Sequence, residues 1–275
     1  HVGRQGTGCG RRHRRGRHGL GAALLAQALV VAIVMLLPLL ARERQGERLL
    51  PWTAGQASDV SRSLQLEGWI DIGRSLLRVV LLPVSLIATL VFFAYNLIRG
   101  FVDALLPVLT VQEMGWTHTD FSELSATAGL VSGVLGMVAG GWLVERLGRR
   151  RTIAAGVLLL GGGAAAMALL AAAWSQRLPA QAFISAYYIL DTLISISFLA
   201  TMMAISWKRV AATQFSLYMA VANMGLSGGA ALFGPLQGLL SYPHLFYIVV
   251  AVGLFVLSLL RFIDVGAMLD RMERL

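Results

Sequence analysis

Long apolar stretches dominate this sequence, and each is long enough to cross a lipid bilayer, which requires about 20 apolar residues. Seven such stretches occur, at 20–40, 79–98 (with an extension to about 109), 126–144, 152–174, 182–207, 215–240 and 245–262. Each is too long and too uniformly apolar for a strand of a membrane β-barrel, in which polarity alternates over about 10 residues. The sequence therefore predicts an all-α membrane protein, a polytopic helical bundle of about seven transmembrane helices.

The composition supports a lipid-embedded chain. Apolar residues make up 57% of the sequence and charged residues only 13%, against roughly 25% charge in a soluble domain. Cys9 is the single cysteine, which excludes an intrachain disulfide and a cysteine-based metal site. Neither GxxxxGK[ST] nor HExxH occurs, so the chain lacks these signatures of nucleotide and zinc binding. We expect no metal, no cofactor and no enzymatic activity.

The net charge of +9 comes from arginines that are concentrated in alternate connections. The connections 41–78 and 145–151, the turn at 207–209 and the C-terminal tail are basic, whereas 110–121, 175–181 and 241–244 carry Arg177 as their single Lys or Arg. Positively charged connections stay in the cytoplasm. The pattern predicts a multi-pass protein of a bacterial inner (plasma) membrane, with its C-terminus in the cytoplasm.

The N-terminal residues 1–19 do not fit this orientation. They carry six arginines, yet the alternation of the spans would place them outside. We interpret this basic segment as truncated or artefactual. The alternative is an arginine-rich arm for nucleic acid, but such an arm lacks aromatic residues between its arginines here. We therefore expect no nucleic-acid partner.

The connection 41–78 separates one apolar segment from six. We interpret 20–40 as the last transmembrane helix of a first half, 41–78 as a cytoplasmic linker, 79–262 as a six-helix transport half and 263–275 as a cytoplasmic tail. Within the linker, 63–78 mixes apolar and polar residues in a pattern that favours an amphipathic helix on the membrane surface. This organisation is similar to a protein of two six-helix halves, of which the sequence contains the last helix of the first half and the six helices of the second.

The most specific motif is Gly141-Trp142-Leu143-Val144-Glu145-Arg146-Leu147-Gly148-Arg149-Arg150. It resembles the signature loop of the major facilitator superfamily, Gly-x-Leu-x-(Asp/Glu)-Arg-x-Gly-Arg-(Arg/Lys). The matching positions are Gly141, Leu143, Glu145, Arg146, Gly148, Arg149 and Arg150. A merely basic cytoplasmic turn would explain the arginines, but not the glycines, Leu143 and Glu145 together. The resemblance implies a gating loop that braces the cytoplasmic side against the other half of a carrier.

Two further segments resemble one branch of this superfamily. Ala212-Thr213-Gln214-Phe215 and Tyr95-Asn96-Leu97-Ile98-Arg99-Gly100-Phe101 are similar to helices of the muropeptide permeases and the related acetyl-coenzyme A transporters. The polarity at Asn96 and Arg99 departs from the muropeptide permease pattern. The resemblance implies the C-terminal six-helix half of a major facilitator fold plus one preceding helix, with the missing N-terminal helices as partners.

Polar residues inside apolar segments are candidate functional residues, because a charge at a helix centre costs roughly 2.5–3.5 kcal/mol on insertion scales. Asn96, Arg99 and Asp103 share one face of the second segment. Two interpretations remain open. Arg99 and Asp103 form a structural ion pair near the outer boundary, or the span begins at Pro83 and the polar stripe faces a water-filled cavity, which we favour.

The fifth apolar segment places Asp191 well inside the membrane, with Tyr188 on the same face. A carboxyl group there must be protonated, paired or hydrated, which is typical of a proton carrier. The alternative is a protonated aspartate that only bonds a neighbouring helix. On the sixth segment, Asn223 is a candidate for an uncharged solute contact, although such residues also join helices.

These observations predict secondary active transport by a permease-like symporter in a lipid bilayer, driven by protons. The candidate solutes are muropeptide-like or siderophore- and peptide-like amphipathic anions. The predicted pathway residues are Asn96, Arg99, Asp103, Tyr188, Asp191 and Asn223. The alternative function is a non-transporting seven-helix membrane protein, either a scaffold or an intramembrane enzyme.

Overall fold

The computed structural model describes residues 21–22, 24–36 and 68–263, and these are helices joined by short turns. The expectations for the basic segment 1–19, for the linker before residue 68 and for the tail beyond residue 263 lie outside the described residues. The helix α1 is Leu24–Leu36, a short apolar helix inside the predicted span 20–40. Its described side chains are exposed.

Six helices are long and apolar enough to cross a membrane. They are α3 (Pro83–Gln112), α4 (His118–Leu135) continued by α5 (Gly141–Leu147), α6 (Arg149–Leu169), α7 (Arg177–Ala204), α8 (Ala211–Leu239) and α9 (Tyr242–Leu260). A π-helical turn at Gly136–Gly140 joins α4 to α5 within one span. The structure confirms the prediction of an all-α helical membrane bundle.

The first of these spans begins later than the apolar pattern suggests. Leu82 is extended and Pro83 occupies the first turn of α3, where its missing N–H costs no hydrogen bond. The residues before it form a separate helix, α2 (Trp69–Val80). This helix overlaps the segment 63–78, and its Ile70 and Leu77 are exposed. Its location on a membrane surface stays a prediction.

The helices pack in pairs around an apolar core. α3 packs along α8, α6 packs against α7 and α9, and α4 packs against α7. Aromatic rings join α3 to α7, since Phe198 lies 5.1 Å from Phe92 and 5.2 Å from Tyr95, measured between ring centroids. The face of α3 that carries Tyr95 is thereby held against α7.

The contact between α3 and α8, here called the α3–α8 seam, contains closely packed glycines and has polar side-chain contacts near both ends. A Cβ atom on Gly100 would overlap the carbonyl oxygen of Leu226, and one on Gly229 would overlap that of Leu97. At one end, the hydroxyls of Ser85 and Tyr218 lie 2.6 Å apart. These contacts hold the two helices closely together over most of their length.

Gln214 fastens the turn that precedes α8. Its side-chain oxygen accepts a hydrogen bond from the Trp207 amide, and its amide nitrogen donates to the Ile205 carbonyl and to the Tyr218 hydroxyl. Gln214 and Tyr218 are fully buried. Because Tyr218 also contacts α3, the turn between α7 and α8 is tied to the beginning of α3.

Candidate functional site

Three charged residues lie far from any helix end in the described spans, namely Arg99, Asp103 and Asp191. Arg99 is about 20 Å from Gln112, the last residue of α3, at 1.5 Å per residue. Asp191 is about 21 Å from Arg177, the first residue of α7, and about 20 Å from its last. Arg99 and Asp191 therefore sit near the middle of their helices.

Asp191 has a partner on each carboxylate oxygen. The Tyr95 hydroxyl donates to Oδ1 at 2.7 Å, and Nε of Arg99 lies 3.2 Å from Oδ2. The Arg99 Nε–H makes no hydrogen bond among the described residues, so this contact is an ion pair without an aligned donor. The Asp191 side chain is only 11% exposed. Of the three states predicted for a buried carboxyl group, the structure has the paired one.

Asp103 occupies a more open position. Its Oδ1 accepts a hydrogen bond of 2.7 Å from the Tyr187 hydroxyl, and its Oδ2 lies 4.0 Å from Nε of Arg99. Its side chain is 45% exposed. The pairing of Arg99 with Asp103 expected from their spacing is therefore present, but it is longer than the contact of Arg99 with Asp191 on another helix.

The other predicted pathway residues differ in their burial and in the groups that they contact. Tyr188 is partly buried, and its ring centroid lies 5.5 Å from that of Tyr187. Asn96 is buried, donates to the Phe92 carbonyl at 2.9 Å and lies beside Gly225 of α8. Asn223 is exposed on α8. Arg99, Asp103 and Asp191 thus form one cluster, while Asn96 lies in the α3–α8 seam.

Sequence reasoning assigned no role to Tyr95, although it donates to Asp191. A signal was available, because Tyr95, Arg99 and Asp103 are spaced four residues apart and share one helix face. Residue spacing within α3 does not show which neighbouring helix this face contacts. In the structure that helix is α7, which carries Asp191.

A cleft of about 420 Å³ opens beside Asp103 between α3 and α8. It is lined by Gly100, Asp103, Ala104, Leu226, Ser227 and Ala230. Apart from the Asp103 carboxylate and the Ser227 hydroxyl, its side chains are apolar or absent. The cleft gives one side of the charged cluster access to space outside the bundle.

The signature loop lies at the junction of α5 and α6. Gly148 separates the two helices with φ +83° and ψ 143°, a conformation that is essentially reserved for glycine. Glu145 and the arginines around Gly148 are exposed. Glu145 and the arginines that follow Gly148 line an open cleft of about 950 Å³. The structure thus places the reversal at the predicted glycine and leaves the charged side chains available.

No cluster of three or more His, Cys, Asp or Glu side chains able to hold a metal ion occurs among residues 24–36 and 68–263. The central cluster itself consists of two carboxylates, one guanidinium and two phenolic hydroxyls. Such a set can bind ions, exchange partners and hold a proton.

A family model described as Major Facilitator Superfamily matches residues 16–206 and, in a second match, residues 88–269. No curated protein and no solved structure matches the chain. The muropeptide permease branch stays a prediction. The matched family consists of membrane transporters, and the six long apolar helices make the chain a multi-pass membrane protein. The two matches cover most of the sequence, and the chain therefore belongs to the Major Facilitator Superfamily.

Proposed function

We propose that this transporter couples the movement of a small amphipathic organic anion to the movement of protons. The candidate solutes are muropeptide-like, siderophore-like or peptide-like. The observation that carries the proposal is the pairing of Asp191 with Arg99 and Tyr95 near the middle of α3 and α7. Carriers of this fold class bind solutes near the bilayer midplane, which is the depth expected for this pair.

The coupling follows from the charge balance at Asp191. An ionised Asp191 holds the guanidinium of Arg99 at 3.2 Å. When a proton binds Asp191, the attraction between the two side chains is lost, and Arg99 becomes available to a carboxylate on the solute. One proton and one monovalent anion enter together, so the net charge of the cluster does not change. The anion is favoured when the proton is bound, which is the linkage that symport requires.

Uncharged side chains around the pair would complete the solute pathway. Tyr188 lies one residue from Tyr187 on α7, and Asn223 is exposed on α8. Both offer hydrogen bonds without adding charge. Asn96, in the seam between α3 and α8, would position the helix face that carries Arg99.

The signature loop is proposed as a gate at the end of α5. Glu145 lies in the last turn of α5, where the helix dipole disfavours a negative charge. It is exposed, so a cationic group or a helix N-terminus on another part of the transporter would stabilise it. Arg146, Arg149 and Arg150 would meet carboxylates there in the same closed state.

The test uses the product of the complete open reading frame that contains this chain, reconstituted in liposomes. Labelled muropeptide, ferric siderophore and tripeptide are offered with and without an imposed pH gradient. We expect gradient-driven accumulation of at least one of them by the unmodified protein. In Asp191→Asn, accumulation should fall to the level of empty liposomes, because asparagine cannot gain or lose a proton.

Solute exchange without a gradient separates coupling from folding. Asparagine resembles a protonated aspartate, so Asp191→Asn should still exchange labelled for unlabelled solute. The matched control is Asp71→Asn, which removes an exposed carboxylate of α2 and should leave accumulation unchanged. If Asp191→Asn accumulates solute as well as the unmodified protein does, Asp191 does not couple protons.

A further inference from the structure

The central cluster carries one more negative charge than positive. Arg99 supplies one positive charge, while Asp103 and Asp191 supply two carboxylates. Arg99 is closer to Asp191, at 3.2 Å, than to Asp103, at 4.0 Å. In the described spans, every other charged side chain lies near a helix end. Arg99 thus interacts mainly with Asp191, and the negative charge of Asp103 is only partly balanced.

The free side of Asp103 faces open space. Its Oδ1 is engaged by the Tyr187 hydroxyl, its side chain is 45% exposed, and it is the one ionisable group that lines the 420 Å³ cleft between α3 and α8. At about 420 Å³ the cleft lies within the range of small-molecule sites, which begins at about 300 Å³, so it has room for the charged end of a solute.

The polar side chains of this cleft are one carboxylate and one hydroxyl. Beside the Asp103 carboxylate, the cleft contains the Ser227 hydroxyl of α8. A primary ammonium group has three donors and no acceptor, so it matches both the charge and the donor–acceptor balance of the cleft.

We infer that the cleft at Asp103 binds a primary ammonium group of the solute, so that the transported molecule is zwitterionic rather than purely anionic. This inference rests on the proposed function, since it assigns the second charged end of the same solute. The carboxylate of the solute meets Arg99 once Asp191 is protonated, and its ammonium group lies at Asp103 and Ser227. A peptide with free amino and carboxyl termini has both groups.

Binding measurements with three related peptides test this assignment separately from transport. The probes are trialanine, which is a zwitterion, N-acetyl-trialanine, which is an anion, and trialanine amide, which is a cation. Equilibrium binding is measured on the purified complete protein in detergent, at pH values where the amino and carboxyl groups of the peptides stay charged. We expect trialanine to bind about 10- to 100-fold more tightly than N-acetyl-trialanine, as a charge-assisted hydrogen-bonded contact provides.

The variant Asp103→Asn should abolish this preference. The affinity for trialanine should fall by that same factor, while the affinity for N-acetyl-trialanine should stay unchanged or rise slightly. Asparagine keeps the shape of aspartate but not its charge. The control Glu113→Gln removes an exposed carboxylate just beyond the end of α3 and should keep the preference. A chromatographic profile equal to that of the unmodified protein shows that Asp103→Asn is folded.

Three outcomes would overturn the assignment. The first is tighter binding of N-acetyl-trialanine than of trialanine by the unmodified protein. The second is an equal loss of affinity for both peptides in Asp103→Asn, and the third is that none of the three probes binds. Failure of the proposed function appears elsewhere, as a normal peptide preference in binding together with no proton-dependent accumulation in liposomes.

Discussion

Gly148 is the residue on which the geometry of the signature loop depends. Its φ of +83° and ψ of 143° allow α5 to end and α6 to begin within a single residue. A side chain at such a position costs about 1–3 kcal/mol. No atom lies within 4 Å of a Cβ built there, so the restriction is one of backbone conformation and not of space.

We predict that Gly148→Val abolishes transport while the protein still inserts in the membrane. Valine is β-branched and is poorly tolerated at positive φ, so the loop should lose the shape that presents Glu145 and Arg149. The matched control is Gly115→Val, since Gly115 also has positive φ (66°) and no atom near its Cβ. Transport by liposomes and the amount of membrane-inserted protein are measured for both variants.

The comparison of these two glycines decides between gating and simple strain. If both variants lose transport equally, backbone strain explains the effect and the loop has no gating role. Near-normal transport by Gly148→Val would mean that the loop only anchors the chain on its basic side.

At the site, the sequence indicated the charged members of the cluster more readily than the contacts that they make. Arg99, Asp103 and Asp191 could be found because charges are rare in apolar segments. The i, i+4 contact between Arg99 and Asp103 follows from helix geometry alone. The contact of Arg99 with Asp191 and those of the two tyrosines join α3 to α7, and residue spacing within one helix carries no information about its neighbours.

At the scale of helices, the seam between α3 and α8 is the closest contact in the bundle. Gly225 and Gly229 of α8 place their Cα atoms against the backbone of α3, beside Phe93 and Leu97. In a membrane, helix association relies on packing and on small residues, because lipid provides no hydrophobic driving force between helices. The two glycines, four residues apart, therefore allow the backbones of α3 and α8 to approach closely.

We predict that Gly229→Ala destabilises the protein whereas Gly228→Ala does not. A Cβ on Gly229 would overlap the backbone of Leu97, while one on Gly228 would meet no atom within 4 Å. The overlap should cost about 1–3 kcal/mol, as overpacking typically does. At Gly228, alanine should be neutral or stabilising because it is the better helix former.

Thermal unfolding of the purified variants in the same detergent tests this pair. The adjacent positions share one helix, so a general effect of alanine on α8 would change both melting temperatures alike. Equal melting temperatures for the two variants would show that the contact between α3 and α8 adjusts to the added methyl group at little cost.

The beginning of α3 shows where the sequence pattern was misleading at this scale. Apolar residues continue without interruption from Val79 into Val84, so hydropathy gives no boundary there. The boundary comes from Pro83, which starts α3, and from the amphipathic residues before it, which form α2. With Pro83 as the first residue, Arg99 lies near the middle of the span, as the cavity interpretation requires.

At the scale of the whole molecule, α3 and α8 expose polar side chains on one side of the bundle, where contact with lipid would be unfavourable. Arg99 and Asp103 are 37% and 45% exposed, and Asn223 and Ser227 of α8 are exposed. A charge facing lipid near the bilayer centre costs roughly 2.5–3.5 kcal/mol on insertion scales. We therefore infer that this side meets water or protein, while exposed apolar residues such as Leu130, Met137 and Leu158 face lipid.

The orientation of the bundle can be predicted from its charged turns and tested with single cysteines. The signature loop and the turn before α8 are basic and should face the cytoplasm, whereas the turn between α3 and α4, which lacks Lys and Arg, should face outward. Cys9 is the only cysteine among these 275 residues, so Cys9→Ser, with serine at any cysteine elsewhere in the reading frame, gives a cysteine-free background. Thr119→Cys and Thr213→Cys then form a matched pair, because both threonines are exposed and lie in the first turn of α4 and α8.

In intact cells, an impermeant maleimide should label Thr119→Cys directly and Thr213→Cys only after permeabilisation. The reverse result would invert the orientation and remove the signature loop from the cytoplasmic side, where its proposed gating role requires it to be.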